Sequence, residues 1–153
     1  MALSAGEPAP NFELKDNEGK LHKLTDYAGQ TIVVYFYPRD NTPGCTTEAC
    51  SFRDAYADFR EAGVEVIGIS PDSEKSHTNF INKFELPFIL LSDPDHKTCN
   101  AFGVWGPKKM AGREYEGVYR TTFIIGPEGM IKKVFENVKP ADHSHEVLAA
   151  VLG

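Results

Sequence analysis

The spacing of apolar residues along this chain changes several times, and each change marks a boundary between elements. Thr31–Tyr37, TIVVYFY, is an unbroken β-branched and aromatic run. A strand with one wet face would alternate apolar and polar residues, so this run predicts a strand covered on both faces. Pro38 ends it. Beyond Pro43 the apolar residues recur at helical steps: Ala49, Phe52, Tyr56 and Phe59 form one stripe, predicting a helix to about Glu61. Pro43 suits its first turn, where no N–H is needed, and Thr42 suits the N-cap. Gly63 stops it, and Val64–Ile69 is a second buried strand. Strand, helix and strand on short links make a βαβ unit, whose strands run parallel.

The pattern repeats downstream. His77, Phe80, Ile81 and Phe84 share one face of a helix over Ser73–Phe84. Phe88–Leu91 reads as a short strand and Asp95–Phe102 as a short helix. Tyr119–Ile125 and Met130–Phe135 are strands joined by Gly-Pro-Glu-Gly, a hairpin. Asp142 is placed to cap a last helix with Val147, Leu148, Val151 and Leu152 on its apolar face, and His143 and His145 near its start are expected in solvent. At the other end, Met1–Asn11 reads as an extended arm, and Phe12–Leu14 and Lys20–His22 as a hairpin turning at Gly19. Gly106–Gly117, polar and glycine-rich, is expected to be the longest loop. The sum is an α/β domain over residues 1–153, with a mixed central sheet and helices on both faces, in a thioredoxin-like order.

Composition narrows the function. With 153 residues the chain fits one domain with a sizeable core. Its net charge of −6 disfavours nucleic acid or an anionic membrane as a partner, because both need a basic face. No apolar stretch approaches the roughly 20 residues of a transmembrane helix. The start, MALSAGEPAPNFEL, lacks the basic and apolar regions of a secretory signal, so a cytoplasmic location is expected. Three cysteines do not make the even framework of a secreted scaffold. No Cys-x-x-Cys occurs, and the histidines show no zinc-type spacing to the cysteines, so no metal is expected.

The chemistry concentrates in Asp40–Cys50, DNTPGCTTEAC. Cys45 falls in the first turn of the predicted helix, just past the end of a central strand. Unpaired N–H groups and the positive end of the helix dipole favour an anion there, which suits a reactive thiolate. Ligands of open α/β folds also bind beyond the carboxyl ends of strands. Cys50 follows five residues later. In an ideal helix two such residues lie roughly 8.6 Å apart at Cα and point about 140° apart. A disulfide needs a separation below about 7 Å, so the pair can bond only if this helix opens locally. That suits a transient disulfide: Cys45 is oxidised to a sulfenic acid and Cys50 condenses with it. The plain alternative is a helix cysteine with no role.

Here the sequence resembles a known family. FYPRDNTPGCTTEACSFRD (Phe36–Asp54) is similar to the active-site segment of peroxiredoxins, in the bacterioferritin comigratory protein or peroxiredoxin Q branch. Pro38, Thr42 and Cys45 match the family pattern Pro-x-x-x-Thr/Ser-x-x-Cys, and Cys50 matches the branch's resolving cysteine. LPFILLSDPD, FGVWGPKKMAGREYEGV and YRTTFIIGPEG resemble the branch too, so the likeness spans about Gly6 to Leu152. The resemblance implies a thiol peroxidase that reduces hydrogen peroxide and alkyl hydroperoxides without metal, haem or flavin. Cys45 would be the peroxidatic and Cys50 the resolving thiol, with thioredoxin or a similar dithiol as reductant and a monomer as the working form. It also implies an arginine from a distant strand, which maps to Arg120. Thr42 would bond the peroxide, with the backbone of Gly44 beside it, and Pro43 would shield Cys45. A thioredoxin-like oxidoreductase acting on protein disulfides is the competing reading, although such enzymes keep two cysteines within one turn.

Other residues are open at this stage. Glu48 could pair with Arg53 or orient Arg120. Trp105 could line the rim of the site or pack. Cys99, in its short helix, reads as a structural thiol.

Overall fold

The computed structural model describes residues 2–153; the expected N-terminal arm begins at Met1, outside the described residues. The elements in chain order are β1 (Glu13–Asp16), β2 (Leu21–Lys23), a 3-10 turn (Leu24–Tyr27), β3 (Thr31–Phe36), α1 (Pro43–Glu61) and β4 (Val64–Ser70). Then come α2 (Glu74–Phe84), β5 (Ile89–Ser92), α3 (Lys97–Ala101), β6 (Trp105–Met110), β7 (Arg113–Val118), β8 (Thr121–Ile125), β9 (Ile131–Phe135) and α4 (His143–Leu152).

One seven-stranded sheet runs β2-β1-β5-β4-β3-β8-β9. β3, β4 and β5 are parallel, as the βαβ unit requires, and β8 joins β3 antiparallel with Thr121 opposite Phe36. The continuous apolar run of β3 has the expected meaning. Val33 and Tyr35, with Tyr37 just beyond the strand, face a core with Ala49, Phe52 and Phe59 of α1, Phe80 of α2 and Val147 of α4. Ile32, Val34 and Phe36 face a second core with Cys99 of α3, Phe102, Phe12 and Val104. Successive residues of one strand therefore serve both cores. The N-terminal arm is pinned across the second, with Gly6 N–H donating to the Ile131 carbonyl.

Two expectations are corrected here. Gly106–Gly117 is no loop: β6 and β7 pair antiparallel from Trp105–Val118 to Met110–Arg113, and the ribbon turns at Ala111 and Gly112. Both turn residues have positive φ (52° and 78°), as a tight primed hairpin turn demands. Most of its side chains are in solvent, so its strands carry no apolar alternation to read. His143, expected in solvent, is 1% exposed. Its Nε2 meets the Thr122 hydroxyl at 2.7 Å and its Nδ1 the Glu146 carboxylate at 2.5 Å, which anchors the first turn of α4 on β8.

Candidate active site

Cys45 is the third residue of α1 and is 1% exposed. Arg120 reaches it from just before β8. Because Thr121 lies opposite Phe36, Arg120 is carried past the carboxyl end of β3, where α1 begins. Its Nη2 donates to Cys45 Sγ at 3.1 Å, and its Nη1 donates to Glu48 Oε1 at 3.1 Å. Glu48 follows Cys45 by three residues and so shares its side of the helix. The half-buried guanidinium thus spans a sulfur and a carboxylate. Glu48 is wholly buried, and burial pushes its pKa up to about 7 although Arg120 pulls the other way. Among the described residues its Oε2 has no hydrogen-bond partner, nor has the buried hydroxyl of Tyr35.

Gly44 is required by close approach. A Cβ there would stand 2.7 Å from Arg120 Nη2, so any side chain would displace the guanidinium. Thr42 holds the N-cap position, but its hydroxyl donates to the Arg39 carbonyl at 3.0 Å rather than accepting from the first turn. The expected cap is therefore a cap by position only, and the hydroxyl oxygen keeps its lone pairs. Pro38 is half-buried after β3, and Pro43 opens α1 in an exposed position. Lys108 of the β6–β7 ribbon is a second cation near the site. Its Nζ donates to the Val118 carbonyl at 2.9 Å, and burial followed by the charge of Arg120 lowers its pKa.

The loop before α1 is clamped from below. Asp40 accepts from Tyr37 Oη at 2.6 Å and from Ser76 Oγ at 2.8 Å, and it meets His77 Nδ1 at 2.7 Å. Nε2 of His77 lies 3.0 Å from the Leu91 carbonyl, which only accepts, so this nitrogen carries a hydrogen. Asp72 adds a bond from the Asp40 N–H at 2.7 Å. Ligand-type atoms of Asp40, Asp72 and His77 lie within 4.8 Å of one another. Both carboxylates already accept several protein hydrogen bonds, so the trio serves as a clamp rather than an open metal site. The period of α2 marked His77 as buried, but no local signal pointed to Asp40 as its partner.

A model of the AhpC/TSA family matches residues 5–134. The chain is 50% identical over 148 residues to peroxiredoxin Bcp of Bacillus subtilis, covering 97% of this chain and 94% of that one. It is 46% identical over 146 residues to peroxiredoxin Bcp of Escherichia coli K12, covering 95% and 94%. The chain belongs to the peroxiredoxins. Peroxiredoxin Q of Xanthomonas campestris superposes with a TM-score of 0.90 at 40% identity, covering 97% of this chain and 96% of that one. The bacterioferritin comigratory protein of the same organism, studied for its alkyl peroxide reduction activity, gives 0.90 at 39% identity and covers 97% of each. These are relatives in the branch that the active-site segment resembles.

The remaining cysteines of this peroxiredoxin sit in contrasting places. All three are free thiols, and α1 is continuous through both Cys45 and Cys50. Cys50 is half-buried and lines a groove of about 860 Å³ between α1 and α4. Cys99 is fully buried, and its desolvation and the Asp93 carboxylate push its thiol far up, which suits an inert packing residue. Arg53 does not pair with Glu48. It donates to Asp54 at 3.0 Å and to the Phe84 carbonyl at 2.9 Å, because a spacing of five turns it away from Glu48. Trp105 stacks on His96, with ring centroids 3.8 Å apart, and its Nε1 donates to Glu116, so it packs at the base of the ribbon.

Proposed function

We propose that this thiol-dependent peroxidase runs its cycle on Cys45 and Cys50. The Cys45 thiolate attacks one oxygen of a hydroperoxide, the O–O bond breaks, and the other oxygen takes a proton and leaves as water or alcohol. Charge gathers on the leaving oxygen, and fixed donors in a dry pocket stabilise it best. Arg120 supplies such donors, held in place by Glu48. Thr42 accepts the hydroperoxide O–H on its free lone pairs, and the backbone N–H groups of Gly44 and Cys45 add to the anion site. The observation that carries this reading is the 3.1 Å bond from Arg120 Nη2 to the buried Cys45 Sγ at the start of a helix.

The Cys45 sulfenic acid then condenses with the Cys50 thiol, releasing water and forming the disulfide. The first turn has to open for this, and its composition favours opening. Gly44, Thr46 and Thr47 are poor helix formers, each costing roughly 0.5–1 kcal/mol against alanine. The rest of α1 is held by buried Phe52 and Phe59, each worth about 1.5–3 kcal/mol. Opening therefore stays local. Thioredoxin or a similar dithiol protein reduces the disulfide, and the cycle runs within one cytoplasmic monomer.

The test is an intact mass and peptide map after adding one equivalent of hydrogen peroxide to the reduced protein. A loss of two hydrogens mapped to a Cys45–Cys50 link is expected. A link to Cys99 or to another chain would sink the assignment of Cys50.

A further inference from the structure

The cycle above makes no use of the β6–β7 ribbon, yet the ribbon's side chains are sorted by charge. Lys108 pairs with Tyr115 and Met110 with Arg113, so these four share one face, with the Gly106–Gly117 pair at its base. Glu114, Glu116 and Lys109 occupy the other face. One face is thus cationic and holds no acidic residue, in a chain whose net charge is −6.

Lys108 ties that face to the peroxidatic site. It is half-buried, and its Nζ donates at 2.9 Å to the carbonyl of Val118, two residues before Arg120. Gly117 lets the lysine stem lie down along the ribbon, because a Cβ there would stand 3.1 Å from Lys108 Cδ. Tyr119, next to Arg120, holds the ribbon to the same segment, its hydroxyl donating to the Pro107 carbonyl at 2.5 Å. The ammonium feels the charges of both Arg120 and Cys45. Among the described residues neither Lys108 nor Arg113 has a carboxylate partner. The Val118 carbonyl takes only one of the three N–H donors of Lys108. Two cations held near one another in a partly buried place repel, and an anion beside them relieves the repulsion. Farther out on the same face, Met110 and Tyr115 are 67% and 40% exposed and offer an apolar surface.

We propose that Lys108, with Met110, Arg113 and Tyr115 around it, forms a subsite for the organic part of the substrate and selects hydroperoxides that carry a carboxylate. The proposal rests on Cys45 as the peroxidatic thiol, as in the preceding section. The apolar body of such a substrate lies on Tyr115 and Met110, and its carboxylate accepts from the Lys108 ammonium while the O–O group meets Cys45. A basic face on an acidic protein also draws an anion to this side of the molecule. Hydrogen peroxide is small and neutral and gains nothing from the subsite. The bonds made and broken are those of the preceding section, and the alcohol product keeps the carboxylate.

The experiment compares cumene hydroperoxide with its para-carboxylated derivative. The two probes share the same O–O bond and leaving group and differ by one negative charge. Each is mixed with the reduced protein in a single-turnover stopped-flow reaction. The ratio of the rate constants, carboxylated over plain, cancels any change in the thiolate fraction of Cys45. In the wild type at low salt it should exceed one by about fivefold, and added salt should bring it toward one. Lys108→Met should lower it about fivefold. Lys108→Arg, which keeps the charge, should retain it, and Lys109→Met, on the other face, should change it far less. Circular dichroism reads whether each variant is folded. A wild-type ratio of one or below overturns the subsite, and so does a ratio untouched by Lys108→Met, lost equally in Lys108→Arg or lowered equally by Lys109→Met. Hydrogen peroxide separates this proposal from the reading beneath it. If peroxide reacts rapidly with Cys45 while the ratio ignores Lys108, the subsite alone fails. If peroxide does not react rapidly with Cys45, the assignment of that thiol fails, and the subsite with it.

Discussion

Cys45 and Cys50 belong to one helix, but their surroundings differ in almost every physical respect. Cys45 is sealed in a pocket with a guanidinium on its sulfur and a buried carboxylate behind that guanidinium. Cys50 is half-buried and faces a groove between two helices whose lining mixes hydroxyl, aliphatic and acidic side chains with His145. The difference follows from helix geometry. A spacing of five turns the second side chain about 140° from the first, so one points to the sheet end and the other to α4. A reaction that needs a stabilised anion and a dry pocket suits the first place, and exchange with a large partner suits the second. The cost of this division is that the two sulfurs meet only when the first turn of α1 opens.

The largest effect that would break the comparison is at Cys45 itself. Cys45→Ser should abolish the rapid reaction with hydrogen peroxide, a loss of more than about a thousandfold in stopped-flow measurements, with Cys50 and Cys99 left intact. If a fast phase persists, the buried site is not where peroxide reacts. Arg120→Lys comes next, because lysine cannot bond both sulfur and carboxylate in one plane. The second-order rate constant with peroxide should fall by about a hundredfold, and a change within a factor of two would remove Arg120 from the chemistry.

Gly44→Ala sharpens the same contrast at smaller scale. The added methyl would displace the guanidinium, so the peroxide rate should drop by roughly tenfold or more while thermal unfolding and the Cys50 groove change little. Glu48→Gln tests the buried carboxylate through pH. Burial raises its pKa from 4.5 to about 7, so the native state holds this proton more tightly than the unfolded chain does. The stability linked to that proton is complete below pH 4.5 and is lost as pH rises through about 7. The variant should therefore flatten the decline of unfolding free energy over that window, read by denaturant titration at several pH values, and parallel curves would contradict the buried acid. The smallest effect is expected from Cys50→Ser on the first step: the peroxide rate should stay within about twofold. Its sulfenic acid should persist and pass on to sulfinic acid in excess peroxide, seen as added oxygens by mass.

Two hairpins show where sequence reading reaches and where it stops. β8 and β9 were legible because Tyr119–Ile125 is rich in β-branched and aromatic residues and its turn is Gly-Pro-Glu-Gly. β6 and β7 were not, because a ribbon wet on both sides needs no apolar pattern and its turn begins with alanine rather than asparagine. The burial of His143 was equally hidden. Its partners are Thr122, which is remote in sequence, and Glu146, a helix neighbour that gave no sign of burial.

Taken alone, the sequence determined the order of the elements other than β6 and β7, the parallel βαβ unit and the position of both reactive cysteines on one helix. Those follow from local periodicity, from proline and glycine punctuation, and from the fixed geometry of an α-helix. Its likeness to a known family pointed to Arg120, whose place 75 residues from Cys45 no local rule would select. Only the tertiary structure decided that Glu48 turns to Arg120 and not to Arg53, that Asp40 and His77 clamp the loop before α1, and that Cys50 opens onto a groove. Each of these is a contact between segments far apart in the chain. Such contacts are set by strand register and helix packing, which emerge when the whole sheet assembles.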